Sequence, residues 1–152
     1  MTARWIPAEP GARVIGLRWG YSPEKYEFSD FDSPQAAADY AGGDSFVEIV
    51  TVRNPRGGVF TFEGRFLPTP SAAMQVGTVV EGVWYTVPQE DQVYEDFPAA
   101  RARLAERADP PTWLQEHLRL RGPDGRVIEQ EARILNLDPR WSPVSRRYAN
   151  AY

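Results

Sequence analysis

The chain has 152 residues, 25% charged and 42% hydrophobic side chains, a formal net charge of −4 and no cysteine. The lack of cysteine excludes a disulfide scaffold, a thiolate metal centre and a cysteine nucleophile, and a single histidine excludes a multi-histidine metal centre. Val, Ile, Leu and Phe together number 33. That lies just above the roughly one-fifth of a chain below which charged sequences tend to stay disordered, so one domain with its own core is expected.

The predicted elements follow in chain order. Residues 12–19 alternate, with Ile15, Leu17 and Trp19 on one face, which predicts a strand. Ser33-Pro34 ahead of an alanine-rich stretch predicts a short helix. Ser33 caps it, Pro34 takes its first position and Gly42-Gly43 ends it. Residues 46–66 carry a β-branched run, a turn cluster at 54–58 and a second alternating run with Phe60, Phe62 and Phe66 on one face, which predicts a β-hairpin.

A third strand is predicted over 78–87, after Pro68 and Pro70. The acidic stretch 89–96 reads as a loop, and 98–107 as a helix capped by Asp96. Asp109-Pro110-Pro111 stops that helix and can start another short one through Trp113, Leu114 and Leu118. The turn residues 122–125 favour a second hairpin between 118–121 and 127–137. A helix over 127–137 competes, since Ile128, Ala132 and Leu135 also match helical spacing.

Clustered strands with separate helices predict an α+β fold, with a curved antiparallel sheet or partial barrel of about five to six strands and two to three short helices. Residues 1–138 are read as one α+β domain and 139–152 as an extended C-terminal tail.

A symmetric first hairpin sets Arg53 opposite Val59, Val52 opposite Phe60, Val50 opposite Phe62, Glu48 opposite Gly64 and Phe46 opposite Phe66. Alternation puts Phe46, Glu48, Val50, Val52 and their partners on one side, so Glu48 is a carboxylate on an aromatic face beside a glycine. Glu81 shares a side with Val79, Val83, Tyr85 and Val87 in the third strand. A buried carboxylate holds its proton more tightly, so Glu48 and Glu81 are candidate catalytic acid/base groups. Phe46, Phe62, Gly64 and Tyr85 are the candidate pocket. The simpler reading pairs both carboxylates with arginines or leaves them in water.

His117 lies next to Glu116, but adjacent residues of a helix or strand do not face each other, so Glu116 cannot orient it. A structural histidine is the reading adopted. No Gly-X-Ser-X-Gly elbow, phosphate loop or calcium loop is present. Pro123-Asp124-Gly125-Arg126-Val127-Ile128-Glu129 is similar to the turn-and-strand ending of vicinal-oxygen-chelate metalloenzymes. In that family the final glutamate binds a metal, together with a histidine on an early strand. The resemblance covers seven residues and this chain has no histidine before 117. No metal or cofactor is carried over.

Residues 1–100 carry 7 basic and 14 acidic side chains, whereas 101–152 carry 10 and 7. An acidic body lacks the positive footprint that nucleic acid needs. The tail holds Arg140, Trp141, Arg146, Arg147, Tyr148 and Tyr152, residue types enriched at binding hot spots. These are the candidate partner-binding residues, for another protein chain or a copy of this one. No stretch approaches the roughly 20 apolar residues of a membrane span. Residues 1–7 lack the core of a signal peptide, so a cytoplasmic location is expected.

Two functions follow. One is an interaction or structural subunit of a larger assembly or homo-oligomer, without catalysis. The other is a cofactor-independent small-molecule binder or cyclase/isomerase-like enzyme with an aromatic pocket and a buried glutamate. The sequence leaves enzyme activity undecided.

Overall fold

The computed structural model describes residues 6–21, 29–109, 113–137, 140–141 and 146–149. The side chains of Arg65, Phe66 and residues 135 onward lie outside the described set. The chain runs β1 (Arg13–Tyr21), β2 (Ser29–Phe31), α1 (Pro34–Ala41), β3 (Phe46–Arg53), β4 (Val59–Leu67) and a 3-10 turn (Pro70–Ala72). It continues through β5 (Val79–Thr86), β6 (Val93–Tyr94), α2 (Phe97–Glu106), β7 (Trp113–Arg121), β8 (Val127–Leu137), β9 (Arg140–Trp141) and β10 (Arg146–Ala149). Among the described residues the architecture is a mostly antiparallel sheet with two α-helices, broadly α+β.

Both helices are set by their caps. Ser33 Oγ accepts from the Ala36 N–H, and Gly42 ends α1 at φ 62°, a left-handed conformation that glycine takes without a Cβ clash. Asp96 caps α2 through the Ala99 N–H. Each such cap stabilises its helix by about 1 kcal/mol.

The strand order is β2-β1-β3-β4-β10-β8-β7-β5-β6. β1 also meets β5 at Arg13↔Val79, where the Val14 N–H donates to the Thr78 carbonyl at 2.8 Å and the Val80 N–H to the Ala12 carbonyl at 2.8 Å. The path of pairings therefore comes back to β1. One buried face of the sheet carries most of the core. Ala12, Val14, Phe46, Val50, Val52, Phe60, Phe62, Leu67, Val80, Leu118 and Leu120 form a first cluster, with Ala37 of α1 against it. Ala100 and Leu104 of α2 pack on Tyr85, Val87, Leu114 and Ile134 in a second. No helix among the described residues is long and apolar enough to cross a membrane.

Several expectations are revised. The short helix expected from Trp113 is instead the first part of strand β7, whereas the hairpin favoured between 118–121 and 127–137 is formed, its strands β7 and β8 paired from Arg121↔Val127 to Trp113↔Leu135. In β7 Leu114, Leu118 and Leu120 meet apolar partners on one side only, a period of two that a helix cannot satisfy. The acidic 89–96 segment includes a short strand, β6, on β5. Among the described residues six strands run eight residues or longer and four are shorter. Parts of the 139–152 segment pair within the chain. β9 meets β8, and β10 lies between β4, in parallel, and β8.

Candidate functional site

Glu48 sits in the middle of β3 with no solvent exposure. The hairpin register is as the sequence predicts from Arg53↔Val59 through Glu48↔Gly64. A bulge beyond Glu48 then sets Phe46 opposite Leu67 instead of Phe66. The carboxylate is held from two sides. The Trp19 indole N–H donates to Oε2 at 2.7 Å, and the Met74 N–H is shared between Oε1 at 3.0 Å and Oε2 at 3.1 Å. Met74 is placed by the β7–β8 turn, where Arg126 donates to the Ser71 and Ala73 carbonyls.

Burial raises the Glu48 carboxyl from its ordinary 4.5 to about 7. The Met74 N–H, the Trp19 indole and the Arg126 charge oppose the rise. A carboxyl with its pKa there is divided between protonated and ionised forms near neutrality, as an acid/base group requires.

Glu81 lies elsewhere. A bulge between Val80 and Gly82 shifts the alternation of β5, so Val80, Tyr85 and Val87 are buried and Glu81 is exposed, paired with Arg121. The sidedness expected for Glu81 assumed an unbroken period of two, which the bulge interrupts.

Phe46, Phe62 and Gly64 share the buried face with Glu48, whereas Tyr85 belongs to the second cluster. The Tyr85 hydroxyl reaches Glu116 Oε2 at 3.3 Å. Glu116 is fully buried on β7 and faces Ala132 of β8. Diagonal to it lies Gln130, 1% exposed, whose carboxamide nitrogen and oxygen both lack a hydrogen-bond partner. Such a group costs about 1–3 kcal/mol. Glu116 and Gln130 sit between the apolar clusters: Leu114 and Ile134 lie on one side, Leu118 and Ile128 on the other.

The strand pairings align these groups. Gly64 pairs with Glu48 on β3 and with Tyr148 on β10. Arg147 pairs with Glu131, so the next register step sets 148 beside Gln130. Glu48 and Gln130 thus stand in one row, three strand steps or about 14 Å apart along the sheet. The neighbouring row holds Val50, Phe62, Ala132, Glu116 and Tyr85.

Glu116 and Gln130 were absent from the sequence candidates, yet the argument that found Glu48 applies to them. Leu114, Glu116, Leu118 and Leu120 alternate on one face, as do Ile128, Gln130, Ala132 and Ile134. The helix expected after Pro111 hid the first run.

His117 faces the opposite side from Glu116. It stacks on Trp84 at 5.4 Å and 2°, with Nε2 2.9 Å from Thr86 Oγ and Nδ1 3.5 Å from Glu131. Burial lowers its pKa, against the pull of Glu131, Glu116 and Glu129. Its carboxylate neighbour is the cross-strand Glu131 rather than Glu116.

Among the candidate partner residues, Arg140 and Trp141 pair with Leu137 and Asn136, and Arg146 pairs with Phe62. The side chains of Arg140, Trp141, Arg146, Arg147 and Tyr148 lie outside the described set, as does the whole of Tyr152. Among the described residues no group of three or more His, Cys, Asp or Glu side chains is placed to hold a metal. No protein-family model matches the chain, and comparisons with curated proteins and with solved structures return no match.

Proposed function

We propose that this chain is a cofactor-independent, small-molecule-binding protein of the cyclase or isomerase kind, acting in the cytoplasm. Its sheet would roll into a partial barrel, with Glu48 moving a proton at an aromatic internal site beside Phe46, Phe62 and Gly64. The observation that carries the reading is Glu48 itself. It is a wholly buried carboxylate on an apolar face, fixed by Trp19 and Met74, with a proton affinity near 7. Rigid placement and a pKa near working pH are what general acid/base catalysis demands.

This reading is preferred to an assembly subunit because the backbone of 146–149 is paired on both sides within its own chain. A segment so engaged has less backbone to offer a neighbour.

Ligand-observed NMR of a set of small aromatic ketones and lactones, at pH 6 and pH 8, tests the proposal. Members that compete for one internal site, with affinity changing between the two pH values in the native chain but not in Glu48→Gln, support it. No internal binding, or binding with the same pH response in both proteins, overturns it.

A further inference from the structure

We propose that the outer face of the sheet carries a second site, which hydrolyses activated aryl esters with Thr86 as nucleophile and His117 as its base. It stands independently of the Glu48 reading above.

The geometry is a relay across neighbouring strands. Thr86 ends β5, His117 lies in β7 and Glu131 in β8. Trp84 pairs with His117 and His117 with Glu131, on the face opposite Glu116. Thr86 Oγ1 lies 2.9 Å from His117 Nε2, and Glu131 Oε1 lies 3.5 Å from His117 Nδ1. An ionised carboxylate only accepts hydrogen bonds, so Glu131 places the ring proton on Nδ1. Nε2 is then left to accept from the Thr86 hydroxyl. That is the tautomer a base needs toward a nucleophilic hydroxyl. Gln115 Nε2 donates to Glu131 Oε2 at 3.2 Å and steadies the carboxylate, while Trp84 stacks flat on the imidazole. Burial lowers the His117 pKa, which keeps the ring neutral and able to take a proton.

The face is open to solvent. Thr86 is half-buried, the His117 side chain is 17% exposed and that of Glu131 65%, so a substrate reaches the relay without an internal cavity. Thr86 Oγ attacks the ester carbonyl carbon as its proton passes to Nε2. The bond to the leaving oxygen breaks, and the departing phenolate takes that proton. Water then attacks the acyl-Thr86 ester. Its proton passes through Nε2 to Thr86 Oγ as the acyl bond breaks, and the free acid leaves. Among the described residues no donor is assigned to the developing oxyanion, which confines the activity to esters with a good leaving group. Trp84, two residues before Thr86 on the same face, offers ring surface to the aryl part.

The test is hydrolysis of 4-nitrophenyl acetate by the full chain, followed by 4-nitrophenolate release and by peptide mass mapping of the quenched protein. An acetyl group on Thr86 is expected. Thr86→Val, which keeps the β-branched shape, and His117→Gln should each lower the rate above background by about a hundredfold, whereas Thr86→Ser retains it. The charges around His117 are Glu129 and Glu131 of β8 and Glu116 of its own strand, with Arg119 and Arg133 flanking them. Arg147 of β10 pairs with Glu131, and β5 presents the uncharged Trp84 and Thr86. The rate should therefore rise with pH through an inflection below 6.5, the ordinary imidazole value, and Glu131→Gln should move that inflection lower still.

Acetyl found only on other residues, or a Thr86→Val rate equal to that of the native chain, overturns the proposal. Loss of rate in His117→Gln but not in Thr86→Val also overturns it, since that marks plain imidazole catalysis. An inflection unmoved by Glu131→Gln overturns the orienting role of Glu131. The acetyl map is read on the unaltered chain, so a variant that folds poorly does not decide the outcome. None of these results bears on the Glu48 reading, which concerns the other face.

Discussion

Two buried polar side chains stand in the same row of the sheet and differ in every other respect. Glu48 takes hydrogen bonds from Trp19 and Met74 and feels the Arg126 charge. The Gln130 carboxamide makes no hydrogen bond. The ionisable group is the better housed of the two. A buried charge must be compensated before a fold can form, whereas a neutral amide is tolerated at a cost of about 1–3 kcal/mol. Glu48 is therefore tied into the architecture, and the Gln130 carboxamide is carried at a cost to it.

Removing the compensated group should have the largest effect. Glu48→Leu strands the Trp19 and Met74 donors and should destabilise the fold by about 2–4 kcal/mol, read from urea unfolding at pH 6. A destabilisation below about 0.5 kcal/mol would show that water reaches these donors and that the burial is not real.

The next largest effect is on pH dependence. In the folded chain Glu48 keeps its proton up to about pH 7, and unfolding returns it to its ordinary 4.5. Between those values the folded state binds more protons. The Glu48 contribution to stability is therefore full below 4.5 and lost as pH rises through 7. The loss amounts to about 3 kcal/mol, at about 1.4 kcal/mol per unit. Referenced to their acid values, the stability curves of native chain and Glu48→Gln should diverge between pH 4.5 and about 7 and keep a constant gap above it, with the native chain losing more. Parallel curves across that range would contradict the burial of the ionised form.

Gln130 should behave in the opposite sense to Glu48→Leu. Gln130→Leu removes an unanswered amide and should raise stability by about 1–2 kcal/mol in thermal unfolding of the empty protein. A net loss would mean that the carboxamide is already satisfied in solution. The smallest effect belongs to Glu81. Its surface pairing with Arg121 predicts less than about 1 kcal/mol for Glu81→Gln, decreasing with salt.

The parts of the molecule that could be read from sequence were those specified locally. Ser33, Pro34 and Gly42 set both ends of α1, and the 54–58 turn set the hairpin register that placed Glu48 opposite Gly64. What escaped was set by distant neighbours. The bulge at Val80/Gly82 that turns Glu81 outward has no strong local signature. The segment from Trp113 becomes a strand because β5 and β8 lie on either side of it, although Asp109-Pro110-Pro111 is an equally good start for a helix. With that strand missed, Glu116 could not be recognised as a polar residue on an apolar face, whereas Gln130, in the 127–137 run favoured as a strand, was legible from its alternation with Ile128, Ala132 and Ile134. The partner of His117 was missed for the same reason, since Glu131 becomes its neighbour only across the ladder.

β10 is the neighbour of β4, yet it is synthesised about 80 residues later. Until then the outer edges of β4 and β8 have their N–H and carbonyl groups open on the sides that β10 will occupy. Unpaired edges of this kind recruit strands from other molecules, and joins between segments so remote in sequence form slowly. Chain order therefore leaves the β4 edge without its parallel neighbour until residues 146–149 are made, and those four residues are what cover it.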